Sequence, residues 1–272
     1  MSAPSVRSWF LTLTALLAAT VFAGSQAMAQ QGRAAGPGRG GTPRASAFLD
    51  LTGTWVSVVN EDWRWRMVTP PKGDTASVPL NPAGRKLADA WDLAADRARG
   101  DLCKAFGPPG LIRQPGRIRI RWEGDETLLA EFDAGTQTRR FHFGTPSAAA
   151  SPSLHGHSVG RWVRQPQNRG IFGRGGAATG GSLEVTTTNL TAGYLRPNGV
   201  PYSERTTVKE FFDSFTLPDN DGTWLIVTTV VADPMYLTQE FVISSQFKKE
   251  PDGSKWNPRP CEIPAPRSPR RG

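Results

Sequence analysis

The sequence predicts a mainly β protein, an antiparallel β-barrel or strongly curved sheet of about ten strands with one accessory α-helix. Three observations carry this expectation. From Leu51 onward, short runs of alternating apolar and polar residues recur between tight turns. Only the stretch that begins at Asn81-Pro82 combines helix-start signals with an apolar stripe. The run of strands is not interleaved with helices, as a parallel sheet would require.

The elements follow in chain order. Gly53 to Val59 reads as the first strand, and Trp63-Arg64-Trp65-Arg66-Met67 alternates aromatics with arginines as a second. Asn81 is a good N-cap and Pro82 suits the first helical position, with Leu87, Ala88, Trp91 and Ala95 forming the stripe to about Arg97. Strands are expected at Arg117–Trp122, Leu128–Phe132 and Thr138–Phe143, joined by the turns at Glu123-Gly124-Asp125-Glu126 and Asp133-Ala134-Gly135. His157–Val163 precedes a Gly-rich segment, Gln165–Gly181, which reads as a disordered loop. The remaining strands are Leu183–Asn189, Arg205–Asp213, Thr223–Val231 and Glu240–Phe247, with a hairpin turn at Asp219-Asn220-Asp221-Gly222.

Residues 1–29 have the layout of a secretory signal peptide. Arg7 gives a positive start, Trp9 to Ala23 an apolar run of about 15 residues, and Ala27-Met28-Ala29 a small-residue cleavage site before Gln30. That run is short of the roughly 20 residues a spanning helix needs. The expected organisation is a signal peptide at 1–29, a disordered Gly/Pro/Arg-rich leader at 30–48, a barrel-like domain at 49–262 and a basic disordered tail at 263–272. The expected location is periplasmic or secreted, with no transmembrane segment after cleavage.

The chain carries a formal charge of +8, which falls to +7 when Arg7 leaves with the signal. Much of that excess sits in the two terminal segments. A sequence pI near 10 points toward polyanions. Export argues against nucleic acid and leaves anionic envelope components as possible partners. The two cysteines, Cys103 and Cys261, read as a disulfide in an oxidising compartment. It would close a loop of about 160 residues, which the chain-entropy treatment credits with roughly 4–5 kcal/mol.

Leu51-Thr52-Gly53-Thr54-Trp55 resembles the G-x-W first strand of lipocalin-like and avidin-like barrels, where the Trp closes an apolar barrel floor. Gly156-His157-Ser158-Val159-Gly160-Arg161-Trp162, Gly199-Val200-Pro201-Tyr202-Ser203-Glu204 and Asp233-Pro234 resemble a group of uncharacterised exported β-rich proteins of environmental bacteria. The resemblance implies architecture and export and carries no activity with it.

Candidate chemistry is sparse. His155-Gly156-His157 has the spacing of two metal ligands on one strand face, without an identifiable third, and no metal or cofactor is expected. On the strand from His157, alternation groups His157 and Arg161 with Val159 and Val163; if the valines face inward, both polar residues line the cavity. Glu210 shares a face with Thr206, Val208 and Phe212, and beside Arg161 it would be an ion pair or a general base. His157, Arg161 and Glu210 are therefore the candidate catalytic set. The arginines that alternate with Trp63, Trp65, Ile118, Ile120 and Trp122 are expected outside, in an inter-strand ion-pair ladder with Glu61, Asp62, Glu123, Glu131 and Asp133.

Three function classes remain. The first is a binding protein for a small apolar or amphipathic molecule, with Trp55, Trp65, Trp122, Phe141 and Phe212 lining its cavity. The second is a barrel enzyme, an isomerase, lyase or cyclase working by proton transfer. The third is an envelope-interaction protein acting through its basic outer strands.

Overall fold

The computed structural model describes residues 41–144, 151–164, 180–218 and 222–266. Its first four strands are β1 (Gly53–Val58), β2 (Arg117–Glu123), β3 (Thr127–Phe132) and β4 (Gln137–Phe143). β5 (His157–Arg164), β6 (Gly181–Thr188), β7 (Gly193–Arg196) and β8 (Val200–Tyr202) follow. The last three are long: β9 (Thr207–Thr216), β10 (Thr223–Ala232) and β11 (Phe241–Glu250).

Nine of these strands form a closed barrel in the order β1-β11-β10-β9-β6-β5-β4-β3-β2, and β2 pairs with β1 to complete the ring. Closure leaves the nine-strand sheet without an edge strand. Every pairing is antiparallel except β4 with β5, which run parallel from Phe141 opposite Ser158. The expected barrel is thus present with one parallel seam. β7 and β8 form a separate hairpin that the alternation pattern did not announce.

Period-two alternation decides what fills the barrel. The buried members are Trp55, Ile118, Ile120, Leu128, Ala130, Phe132, Phe141, Leu183, Val185, Phe212, Leu225, Val227 and Phe247, a continuous apolar core. Trp55 is fully buried and its indole Nε1 donates to the Leu51 carbonyl at 2.9 Å. At the same end Phe48 packs on Trp162, and Trp162 donates to the Pro43 carbonyl at 2.9 Å. Residues 41–48, expected in a disordered leader, are therefore packed against the barrel, because Phe48 has an aromatic surface to cover. The leader at 30–40, residues 1–29, most of the Gly-rich loop and the tail from 267 onward lie outside the described residues.

The opposite end is capped. α1 (Trp63–Arg66), α2 (Pro82–Ala90), α3 (Leu93–Arg99), a 3-10 turn (Asp101–Phe106) and α4 (Pro108–Leu111) lie there with the β7–β8 hairpin. α2 starts as expected: the Asn81 side chain accepts from Gly84 N at 2.9 Å. The expected helix to Arg97 is broken at Trp91, and Asp92 recaps it by accepting from Ala94 N and Ala95 N.

Trp63–Met67, expected as a strand, is a helical turn instead. Asp62 precedes it in the left-handed region (φ 52°) and redirects the chain, so the two-residue alternation never pairs with a neighbouring strand. The arginine ladder holds on β2 only: Arg117 bonds Glu250 at 2.8 Å and Arg121 bonds Glu131 at 3.1 Å, while Arg119 covers Trp256.

Cys103 and Cys261 form a disulfide with their Cα atoms 5.1 Å apart. It fastens the C-terminal segment to the 3-10 turn, and Ile263 beyond it is buried. The basic tail therefore begins later than residue 263. Among the described residues, no helix is long and apolar enough to cross a membrane.

Candidate functional site

Two polar assemblies meet at the capped end. The first lies inside the barrel. Glu210 on β9 faces inward with Val208 and Phe212, as expected, and is fully buried. Its partner is Arg139 on β4, which donates from Nη1 at 2.8 Å and from Nη2 at 2.5 Å. Arg139 Nη2 also reaches Thr187 Oγ1 at 3.3 Å, and Thr187 shares a hydrogen bond with Ser158 at 2.8 Å. β5 and β6 stand between β4 and β9 in the barrel, so the bridge spans the lumen over Ser158 and Thr187.

His155 adjoins this assembly. Its Nε2 is 2.7 Å from Gln137 Oε1. Burial, with the charge of Arg139 as a second cause, lowers its pKa to about 4, so the ring is neutral at pH 7. Tyr202 is fully buried and its hydroxyl has no partner among the described residues. Burial raises its pKa against the opposing charge of Arg139.

The second assembly is a cleft of about 300 Å³ between α2, α3, the 3-10 turn and the β7–β8 hairpin. Trp91, Asp96, Lys104, Tyr194, Tyr202 and Tyr236 line it. Asp96 is its hub, only 1 % exposed. It accepts from Trp91 Nε1 at 2.9 Å, from Tyr194 OH at 3.0 Å and from Arg99 Nη2 at 2.6 Å. Burial first, and then the hydrogen bond to Asp96, raise the Tyr194 pKa, which keeps the phenol protonated as a donor.

Lys104 and Arg99 share Asp101 at the rim, each at 2.9 Å. The hairpin lies flat on Trp91 because Gly199 takes φ +79° and a Cβ there would collide with the indole. Tyr202 belongs to both assemblies: it lines the cleft and stands within the field of Arg139. A further cavity of about 370 Å³ lies under the disulfide-bonded segment, against Phe106, Gln114, Gly135, Arg259 and Ile263.

The expected catalytic set is not assembled. On β5 the inward face carries Ser158, Gly160 and Trp162, because Gly160 makes room for the Phe143 ring, 3.2 Å from where a Cβ would stand. His157 and Arg161 consequently lie on the outer face. Arg161 is 70 % exposed and bonds Glu184 at 2.7 Å, and His157 stacks on His142 at 5.4 Å. His155 and His157 thus have different surroundings and do not converge as a ligand pair.

Gly156-His157-Ser158-Val159-Gly160 has the G-x-S-x-G form. Its serine sits mid-strand with Thr187 as its bonded partner, not on a strand-to-helix elbow beside a base.

Of the expected ligand-lining aromatics, Trp55, Phe141 and Phe212 are spent on the packed core, the last two with ring centroids 5.4 Å apart. Trp122 packs on Phe143 at the end opposite the cap. Trp65 lies outside the barrel on α1, with Asp74 accepting from its indole at 3.1 Å. None of Trp55, Trp122, Phe141 and Phe212 lines either cavity described above. Sequence reasoning missed Arg139, Asp96 and Tyr194, although Arg139 shares the alternation face of Phe141 and Phe143.

No protein-family model matches the chain, and no curated protein or solved structure matches it.

Proposed function

We propose that this chain is an exported binding protein for a small amphipathic molecule, seated in the cleft at the capped end of the barrel. The single observation that carries this reading is the composition of the cleft: an aromatic wall of Trp91, Tyr194 and Tyr236 around one buried, three-fold bonded carboxylate, with Lys104 and Arg99 at the mouth. Apolar walls with a few fixed polar groups are what small-molecule sites are made of. The barrel supplies a rigid base, and the disulfide holds the cap to the C-terminal segment.

The signal-like residues 1–29 and the disulfide support export. Proton-transfer catalysis by Glu210 finds less support, since both carboxylate oxygens are engaged by Arg139. The reading is tested by extracting periplasmically expressed protein and identifying co-purified small molecules by mass spectrometry, followed by a thermal-shift screen of amphipathic compounds. A recovered ligand, or a saturable shift, supports the proposal. Neither, from fully folded protein, counts against it.

A further inference from the structure

Beneath α1 and the β7–β8 hairpin, three arginines converge on a space that none of them fills. Arg66 ends α1, Arg113 follows α4 and Arg196 ends β7, and all are buried. Together with Trp65, Gly110, Gln114, Leu195 and Pro197 they line a small, partly enclosed cavity of about 10 Å³, room for one water-sized body.

Their hydrogen bonding is incomplete in one direction. Arg66 bonds Glu61 through Nη1 at 2.5 Å and the Arg113 carbonyl through Nε at 3.0 Å, leaving Nη2 without a partner. Arg113 bonds Asp62 through Nη2 at 2.9 Å, leaving Nη1. Arg196 has no hydrogen-bond partner on Nε, Nη1 or Nη2 among the described residues, although its whole residue is only 1 % exposed. Its one strong contact is with the face of Trp65, 4.5 Å away, which engages the cation but no N–H.

The charges are equally lopsided. Glu61 and Asp62 answer Arg66 and Arg113, and Arg64 with Asp74 forms its own pair at 2.9 Å. One buried positive charge, that of Arg196, is left over. Glu61 Oε2 is buried without a partner, but Glu61 does not border the cavity. Leaving a charge and five donor nitrogens unanswered in the interior is costly.

We infer that this cavity is a binding site for a small monovalent inorganic anion, chloride in size, held by Arg66, Arg113 and Arg196. A halide satisfies several converging donors at once and neutralises the surplus charge. A water supplies lone pairs but no charge, and must turn its own protons toward further N–H groups. Burial first, and then the charge of Arg113, lower the Arg196 pKa to about 10, which leaves the guanidinium charged at pH 7. The site is separate from the proposed ligand cleft, so the two stand or fall independently.

The test compares thermal unfolding in sodium chloride, sodium bromide and sodium gluconate at constant ionic strength. Chloride and bromide are expected to raise Tm by roughly 5 °C or more over gluconate at saturation. The Arg196→Met variant is expected to lose that difference. Crystals grown in bromide are expected to show one anomalous peak between the three guanidinium groups. If Arg196→Met does not fold, the wild-type bromide map alone decides. Equal Tm values in all three salts, no bromide peak between the guanidinium groups, or a halide stabilisation that persists undiminished in a folded Arg196→Met, overturns the assignment.

Discussion

Arg139 and Glu210 meet across the barrel lumen from strands that are not neighbours, as a two-point ion pair in which both side chains are fully buried. Removing one partner leaves an uncompensated charge in the core. Arg139→Met and Glu210→Leu are each expected to destabilise the protein by about 3–5 kcal/mol in urea denaturation. The double variant is expected to be much less destabilised than the sum of the two. Additive single effects would show that the pair carries no coupling.

His155 makes stability depend on acid. Its folded pKa of about 4 lies below the ordinary histidine value of 6.5, so between those pH values the unfolded chain binds more protons than the folded one. The contribution is complete above pH 6.5, declines as pH falls toward 4 and flattens below that. It amounts to about 3 kcal/mol in total. His155→Gln is expected to flatten the stability profile over this window relative to wild type. Parallel profiles for the two proteins would contradict the assignment.

The disulfide between Cys103 and Cys261 ties the C-terminal segment to the cap. The Cys103→Ser/Cys261→Ser variant is expected to lose about 2–5 kcal/mol of stability. Limited proteolysis is expected to release residues after Trp256 first, since the bond is their covalent tether.

Asp96 receives the indole of Trp91 and the phenol of Tyr194. Asp96→Ala strands both donors in a buried site and is expected to cost about 1–3 kcal/mol. Near-ultraviolet circular dichroism is expected to change with it, because both acceptor-bound rings lose their fixed orientation.

The barrel was legible in the sequence because its strands alternate cleanly. Arg117–Glu123 sets Ile118, Ile120 and Trp122 on one face and three arginines on the other, and a barrel wall asks for that pattern. Asn81-Pro82 announced α2 for an equally local reason, a side-chain cap. The parallel seam between β4 and β5 was not legible, since pairing direction depends on how the chain travels between Gly144 and Gly156 and not on either strand's composition.

The site failed in the sequence for a related reason. Alternation sorts residues into two faces but does not say which face points inward. On β5 the valines suggested one answer and Gly160, opposite the Phe143 ring, imposed the other. Arg139 was readable as inward from Phe141 beside it, but an arginine among aromatics looks misplaced until Glu210 is seen opposite. The cleft was hidden because Trp91, Asp96 and Tyr194 come together only through the packing of α3 on the β7–β8 hairpin.

Native mass spectrometry of periplasmically expressed wild-type protein and Ala192→Trp tests the central claim most directly. Ala192 borders the cleft and is exposed, so an indole there fills the cleft without disturbing the core. The account predicts a bound small molecule on the wild type and none on the equally stable variant. Wild-type protein that neither carries nor takes up a small molecule, or an adduct that survives in Ala192→Trp, would contradict it.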